Sequence, residues 1–169
     1  MKLSSTPLRR VRWLLPVFIA GLIASGLTAI PLAAEVDALV RLAGADELVD
    51  RPGATAPPDW AVWLVRVQSA LRETSVRHPQ LFYGTDWLAF GHVVIAIAFV
   101  GAWRDPVRNA WLFDFGLIAC ALVIPWALVF GHARGIPIWW RLIDCSFGIL
   151  GAVPLIACKR LIHETSDTP

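Results

Sequence analysis

Four stretches of this chain are too long and too apolar to be the buried face of an element in water. They fall at 13–34, 85–103, 110–130 and 138–158. A helix needs roughly 20 predominantly apolar residues to cross about 30 Å of hydrocarbon. Inside hydrocarbon every backbone polar group must be satisfied, and a helix does this within one segment. The sequence therefore predicts an all-α, polytopic membrane protein: one membrane domain built as a four-helix transmembrane bundle. Composition agrees where it is needed. Charged residues make up 17% of the chain, against about a quarter in soluble domains. Trp13, Trp87, Trp103, Trp111, Trp139 and Trp140 all fall near predicted span ends, where indole rings anchor at the membrane interface.

The first span has a rival reading as a cleaved signal peptide. Lys2, Arg9, Arg10 and Arg12 would supply its basic region. Its apolar run is long, however, against the roughly 7–15 residues of a signal core. The candidate cleavage site at 32–34 also has Leu32 where a small residue is expected. A retained helix is the expectation. Pro16 is placed in its first turn or so, where proline is tolerated, and Pro31 is expected to kink or end it.

Orientation follows from the basic residues. In a four-span chain Lys2, Arg9, Arg10, Arg12, Arg104, Arg108, Lys159 and Arg160 fall on one side, in short segments. That side is predicted to be cytoplasmic, with both termini on it, in a bacterial inner membrane. Residues 35–86 carry eight acids and five Arg, a net charge of −3 within a chain of +2. The polar part of this stretch, 35–84, is then the extracytoplasmic segment. Asp59 follows Pro57-Pro58 as a candidate N-cap. Beyond it Trp60, Trp63, Leu64, Val67 and Leu71 form a helical stripe, with Arg66, Gln68, Ser69, Arg72 and Glu73 on the other faces. This amphipathic helix is expected to lie in the membrane interface, to pack on the tops of the spans, or to do both. A shorter amphipathic stretch at 36–49 is expected to continue the first helix outward, and 51–58 is a loop by its breakers.

Ionisable residues inside spans are costly, so they face the bundle and seek partners. His92 and Asp144 fall at matching depth in the outer leaflet, about 7–9 Å from the span ends at 1.5 Å per residue. Arg141 precedes Asp144 by three residues, on one helix face. His92, Arg141 and Asp144 are therefore a candidate polar pocket, with Asp86, His132 and Arg134 as its rim. Either it holds a head group, a small ligand or a proton, or Arg141 neutralises Asp144 and the pair fixes helix packing. Asp114, near the inner end of the third span, is expected to pair with Arg108, Lys159 or Arg160. Cys120, Cys145 and Cys158 have no metal-ligand spacing and read as apolar filler. Gly148 with Ala152, and Gly21 with Ser25, are small-xxx-small pairs that let helices approach closely.

No hydrolase, zinc-protease, P-loop or dinucleotide motif is present, and no cofactor or metal is expected. No basic stripe suggests nucleic acid. The leading functional expectation is binding: of a lipid, a small hydrophobic ligand or a partner membrane subunit, which includes a second copy of the chain. An intramembrane enzyme using His92 and Asp144 with Arg141, and a proton-coupled transporter subunit using Asp114 and Asp144, are the alternatives.

Overall fold

The computed structural model describes residues 5–51 and 56–166. Lys2, the 52–55 part of the breaker-rich loop and the last three residues lie outside the described residues. Every regular element among the described residues is helical. In chain order these are α1 (Ser5–Thr28), α2 (Leu32–Ala43), α3 (Ala45–Val49), α4 (Asp59–Arg77), a 3₁₀ turn (Pro79–Phe82), α5 (Tyr83–Arg104), α6 (Trp111–Ala133) and α7 (Ile138–Ser166). Among the described residues four segments are long and apolar enough to cross a membrane: Leu8–Thr28, Pro79–Arg104, Trp111–Ala133 and Ile138–Glu164. Large apolar side chains on them point away from the protein, with Trp126 67% and Leu150 66% exposed. Apolar surface of that extent needs lipid around it, and the protein is membrane-embedded.

The span boundaries differ from the sequence reading at both ends of the chain. The first span runs from Leu8 to Thr28 rather than over 13–34. Pro31 accounts for the outer limit. The chain turns after Thr28, and Pro31 becomes the residue before α2, its carbonyl accepting the Glu35 N–H at 2.9 Å. The last span extends past 158 because Leu161 and Ile162 still pack on the core.

The chain forms two compact units, residues 1–22 with 94–169, and residues 23–93. In the first unit all four spanning helices contribute to one core. Val11 and Leu15 come from α1, Phe99 and Ala102 from α5, Leu112 and Phe113 from α6, and Leu155, Cys158 and Ile162 from α7. Phe18 meets Phe99 edge to face at 4.9 Å. The cysteines are unpaired thiols here; Cys145 and Cys158 are buried, as expected of fillers.

Because α1 begins at Ser5, Pro16 is interior to it and not in its first turn. A proline there leaves the carbonyl four residues earlier without its helical partner. That carbonyl belongs to Arg12, and the Trp103 indole N–H donates to it at 3.1 Å. The interior proline is tolerated because another helix supplies the missing donor.

Helices α6 and α7 form an antiparallel pair whose register can be read contact by contact. Asp114 meets Lys159, Gly116 meets Leu155, Cys120 meets Gly148 and Gly151, the Cys145 thiol points at the Ile124 carbonyl, and Leu128 meets Arg141. Gly148 therefore serves packing within the chain. Gly21, in the other small-residue pair, has open space where a side chain would go. A Schellman turn joins the two helices. The Gly135 N–H donates to the His132 carbonyl at 3.1 Å and the Ile136 N–H to the Gly131 carbonyl at 2.8 Å. The motif needs a left-handed residue between them, and Gly135 has φ +68°. At the end of α5 the Asn109 amide donates to the Gly101 and Asp105 carbonyls, which caps the helix before α6 begins.

The second unit holds the polar segment. Helix α4 packs on α2 and α3 through Ala61, Leu64 and Gln68, which are buried. This contact line is not the apolar stripe anticipated from sequence. Trp60, Trp63, Val67 and Leu71 lie about a quarter turn away and are half-buried. Gln68 is buried against expectation because α2 offers it a polar partner, Asp37. The Arg72 Nε donates to the same carboxylate at 2.9 Å. The Arg72 hydrogen bond, first, holds the Asp37 carboxyl below its usual value of 3.8; partial burial opposes this, and the Gln68 bond and the charges of Arg72 and Arg41 add to it. A lowered carboxylate pKa stabilises the fold above the unfolded value and is lost as pH falls through the folded one. Hydrogen exchange in α2 and α4 is thus expected to stay slow down to pH 3.8 and to quicken below it. Arg72→Gln should weaken that acid-side transition, since the Gln68 bond and the Arg41 charge remain. The effect is small, since the bridge sits at the surface.

Candidate functional site

The residues singled out from sequence divide between the two units. Arg134, Arg141 and Asp144 belong to the first, and Asp86 and His92 to the second.

Arg141 lies in the first turn of α7, opposite the last turns of α6. Its stem passes over Gly131, where an added Cβ would sit 2.5 Å from Cδ and 2.6 Å from Cγ. Only a glycine leaves room for it. The guanidinium Nη1 donates to the Leu128 carbonyl at 3.2 Å. A cation is favoured at a helix C-terminus, where the carbonyls carry partial negative charge. Nε is buried without an acceptor. The expected Arg141–Asp144 ion pair does not form: the guanidinium reaches across to α6 instead of along its own helix. Asp144, one turn deeper and half-buried, has no ion-pair partner among the described residues. Arg134, just after α6, and His132 in its last turn are exposed. At this end of the α6–α7 pair neither Arg134 nor Arg141 is paired with a carboxylate among the described residues.

At the other end of the same pair the charges are matched. Lys159 Nζ donates to Asp114 Oδ1, so Asp114 takes one of its three anticipated partners. Asp114 and Lys159 thus bridge α6 and α7.

In the second unit, the His92 Nδ1 lies 2.8 Å from the Leu88 carbonyl on its own helix. A carbonyl can only accept, so Nδ1 carries the proton and Nε2 is the free edge of the ring. The ring starts from a close helix contact, since a Cβ on Gly26 would come within 2.6 Å of the His92 Cβ. Asp86 is in the first turn of α5, where an acid is favoured by the helix dipole. With Tyr83, Trp87 and Phe90 it lines an open groove of about 240 Å³. These four residues are spaced i, i+3, i+4 and i+7, one face of one helix. Among the described residues Asp86 has no ion pair.

Sequence reasoning found these side chains but missed what holds them. The Arg141 contact depends on Gly131, three residues after Leu128, a spacing with no signature of its own. Of the aromatic residues beside Asp86 the sequence reading takes up only Trp87, as an interface anchor, although Tyr83, Trp87 and Phe90 at helical spacing around a carboxylate are legible. No group of His, Cys, Asp and Glu among the described residues could hold a metal ion. No family model matches the chain, and neither a curated protein nor a solved structure matches it.

Proposed function

We propose that this is a bacterial inner-membrane protein, with both termini cytoplasmic, that works by binding an anionic lipid head group at the extracytoplasmic end of α6 and α7. The observation that carries the reading is Arg141. It is a cation built into the start of a span, with one bond to a backbone carbonyl, a buried Nε lacking an acceptor, and no carboxylate paired with it. Burying such a charge without a counter-ion is costly. A phosphate at the membrane surface supplies one, and arginine binds phosphate with several donors at once. Nε is closed in against α6, so the remaining edge of the guanidinium is what a head group meets. Arg134 adds positive potential around it. The crowding of basic residues on the other side of the spans supports the orientation.

Native mass spectrometry of protein released from phosphatidylglycerol nanodiscs tests this. Wild-type protein should retain the lipid, and Arg141→Gln should weaken retention about tenfold, the scale of one charge-assisted contact. Gly131→Ala, which displaces the Arg141 stem without removing its charge, should weaken it in the same direction. Added inorganic phosphate should compete poorly, since it lacks the acyl chains. Equal retention by wild type and Arg141→Gln sinks the proposal.

A further inference from the structure

The groove at the start of α5 has a different chemistry from the Arg141 site. Its lining is three aromatic rings and one carboxylate: Tyr83, Trp87, Phe90 and Asp86. Tyr83 and Trp87 stand 5.9 Å apart with planes at 89°, and Trp87 and Phe90 stand 5.4 Å apart at 87°. The rings stand edge to face in a row along one side of α5. The face of each ring carries negative potential that attracts a cation, most of all an alkylammonium. The carboxylate among them has no ion-pair partner within the described residues.

Interface anchoring alone explains Trp and Tyr at a span end. It does not explain a carboxylate among the rings; the dipole of α5 favours an acid in this turn, and no cation of the described residues pairs with it. We infer that this groove binds the ammonium group of a zwitterionic phospholipid. Asp86 supplies the counter-charge, and the rings of Tyr83, Trp87 and Phe90 surround the ammonium. A lipid is the source, not a soluble amine, because the groove opens on the outward apolar surface of a spanning segment. Phe90 lies four residues beyond Asp86, about 6 Å deeper at 1.5 Å per residue, and its ring is exposed. A bound ammonium therefore has its acyl chains laid along α5. This site does not depend on Arg141. The two carry opposite charges and so answer to opposite parts of a lipid head group.

The test uses the full chain in nanodiscs of phosphatidylethanolamine, phosphatidylcholine or phosphatidylglycerol, with lipid retention read by native mass spectrometry. Wild-type protein should retain an ammonium lipid, and Asp86→Asn should weaken this about tenfold, the size of one strong cation contact. Trp87→Leu, which keeps apolar bulk and removes the ring, should act in the same direction. Both should leave phosphatidylglycerol retention unchanged, and Arg141→Gln should leave the Asp86-dependent retention intact. Failure of this site and failure of the Arg141 site are thus read separately. The thermal midpoint of Asp86→Asn should match wild type, so that lost retention reports the groove and not the fold. Two results overturn the inference: ammonium lipids retained equally by wild type and Asp86→Asn, or displacement of the lipid by soluble ethanolamine or tetramethylammonium at comparable concentration.

Discussion

Replacing Gly148 with valine is expected to destabilise the protein by about 3 kcal/mol, the upper end of overpacking in a tight core. A Cβ at this position would lie 2.5 Å from the Cys120 carbonyl oxygen and 3.4 Å from the Val123 Cβ. The oxygen belongs to the α6 main chain, so no rotamer change relieves the overlap. The helices must separate. Separation also loosens Gly116 against Leu155 and Gly151 against the Cys120 thiol, because all three contacts lie on one seam. Lipid tails solvate apolar side chains as well as the protein does, so close packing is what holds helices together in a bilayer. Gly148→Ala should act in the same direction and less strongly. Gly21→Ala is the control. Nothing lies within 4 Å of its added methyl, so the helix propensity of alanine should leave stability unchanged or raise it by up to about 1 kcal/mol. Thermal unfolding in detergent compares the three. A Gly148→Val protein as stable as wild type would show that the α6–α7 seam is looser than described.

Asp114→Ala is the second large expected effect. It leaves Lys159 charged on a spanning helix with its counter-ion gone, which should cost about 2 kcal/mol. Lys159→Ala strands Asp114 and should cost a similar amount. Asp114→Ala with Lys159→Ala removes both charges, and its cost should fall well short of the sum of the single losses. The reason is desolvation: a lone charge near hydrocarbon is penalised, whereas a matched pair and an apolar pair differ little. Both side chains keep appreciable exposure, 52% for Asp114 and 39% for Lys159, which limits the effect to that range. Additive losses would mean that the two residues act independently.

Four spanning helices were legible because the signal is thermodynamic and extends over about 20 residues. No local detail can hide it. What could not be read was rotation and termination. Pro31 is expected to end or kink the first helix; that it ends is decided by the turn after Thr28, where the Ala29 and Ile30 N–H groups donate three residues back, a folded-state fact. The buried line of α4 was misread because Gln68 counted as polar and therefore outward. Burial followed from Asp37, 31 positions earlier in the chain, and single-sequence periodicity carries no term for that. The same limit applied to Arg141. Spacing put Asp144 on its face of α7, and the nearest opposite charge was taken as its partner. A long side chain at a helix start can also reach a neighbouring helix's end, and it did so where Gly131 made room. Asp114 fared better: three candidate cations crowded one end of the bundle, and one of them, Lys159, is placed by the antiparallel register.

The Gly148 contact has a consequence for which sequence changes the chain can absorb together. At Gly116 the close neighbours are the tips of side chains, Leu155 Cδ1 and Phe99 Cζ. A larger residue at 116 could be accommodated by a smaller one at 155 or 99, so those positions can drift as a set. At Gly148 the neighbour is the peptide oxygen of residue 120, which every amino acid carries. No exchange of side chain at 120 makes space, and reversion, or a shift of a whole helix, is the remaining escape. Position 148 is therefore closed to neutral variation, whereas the seam on either side of it stays negotiable.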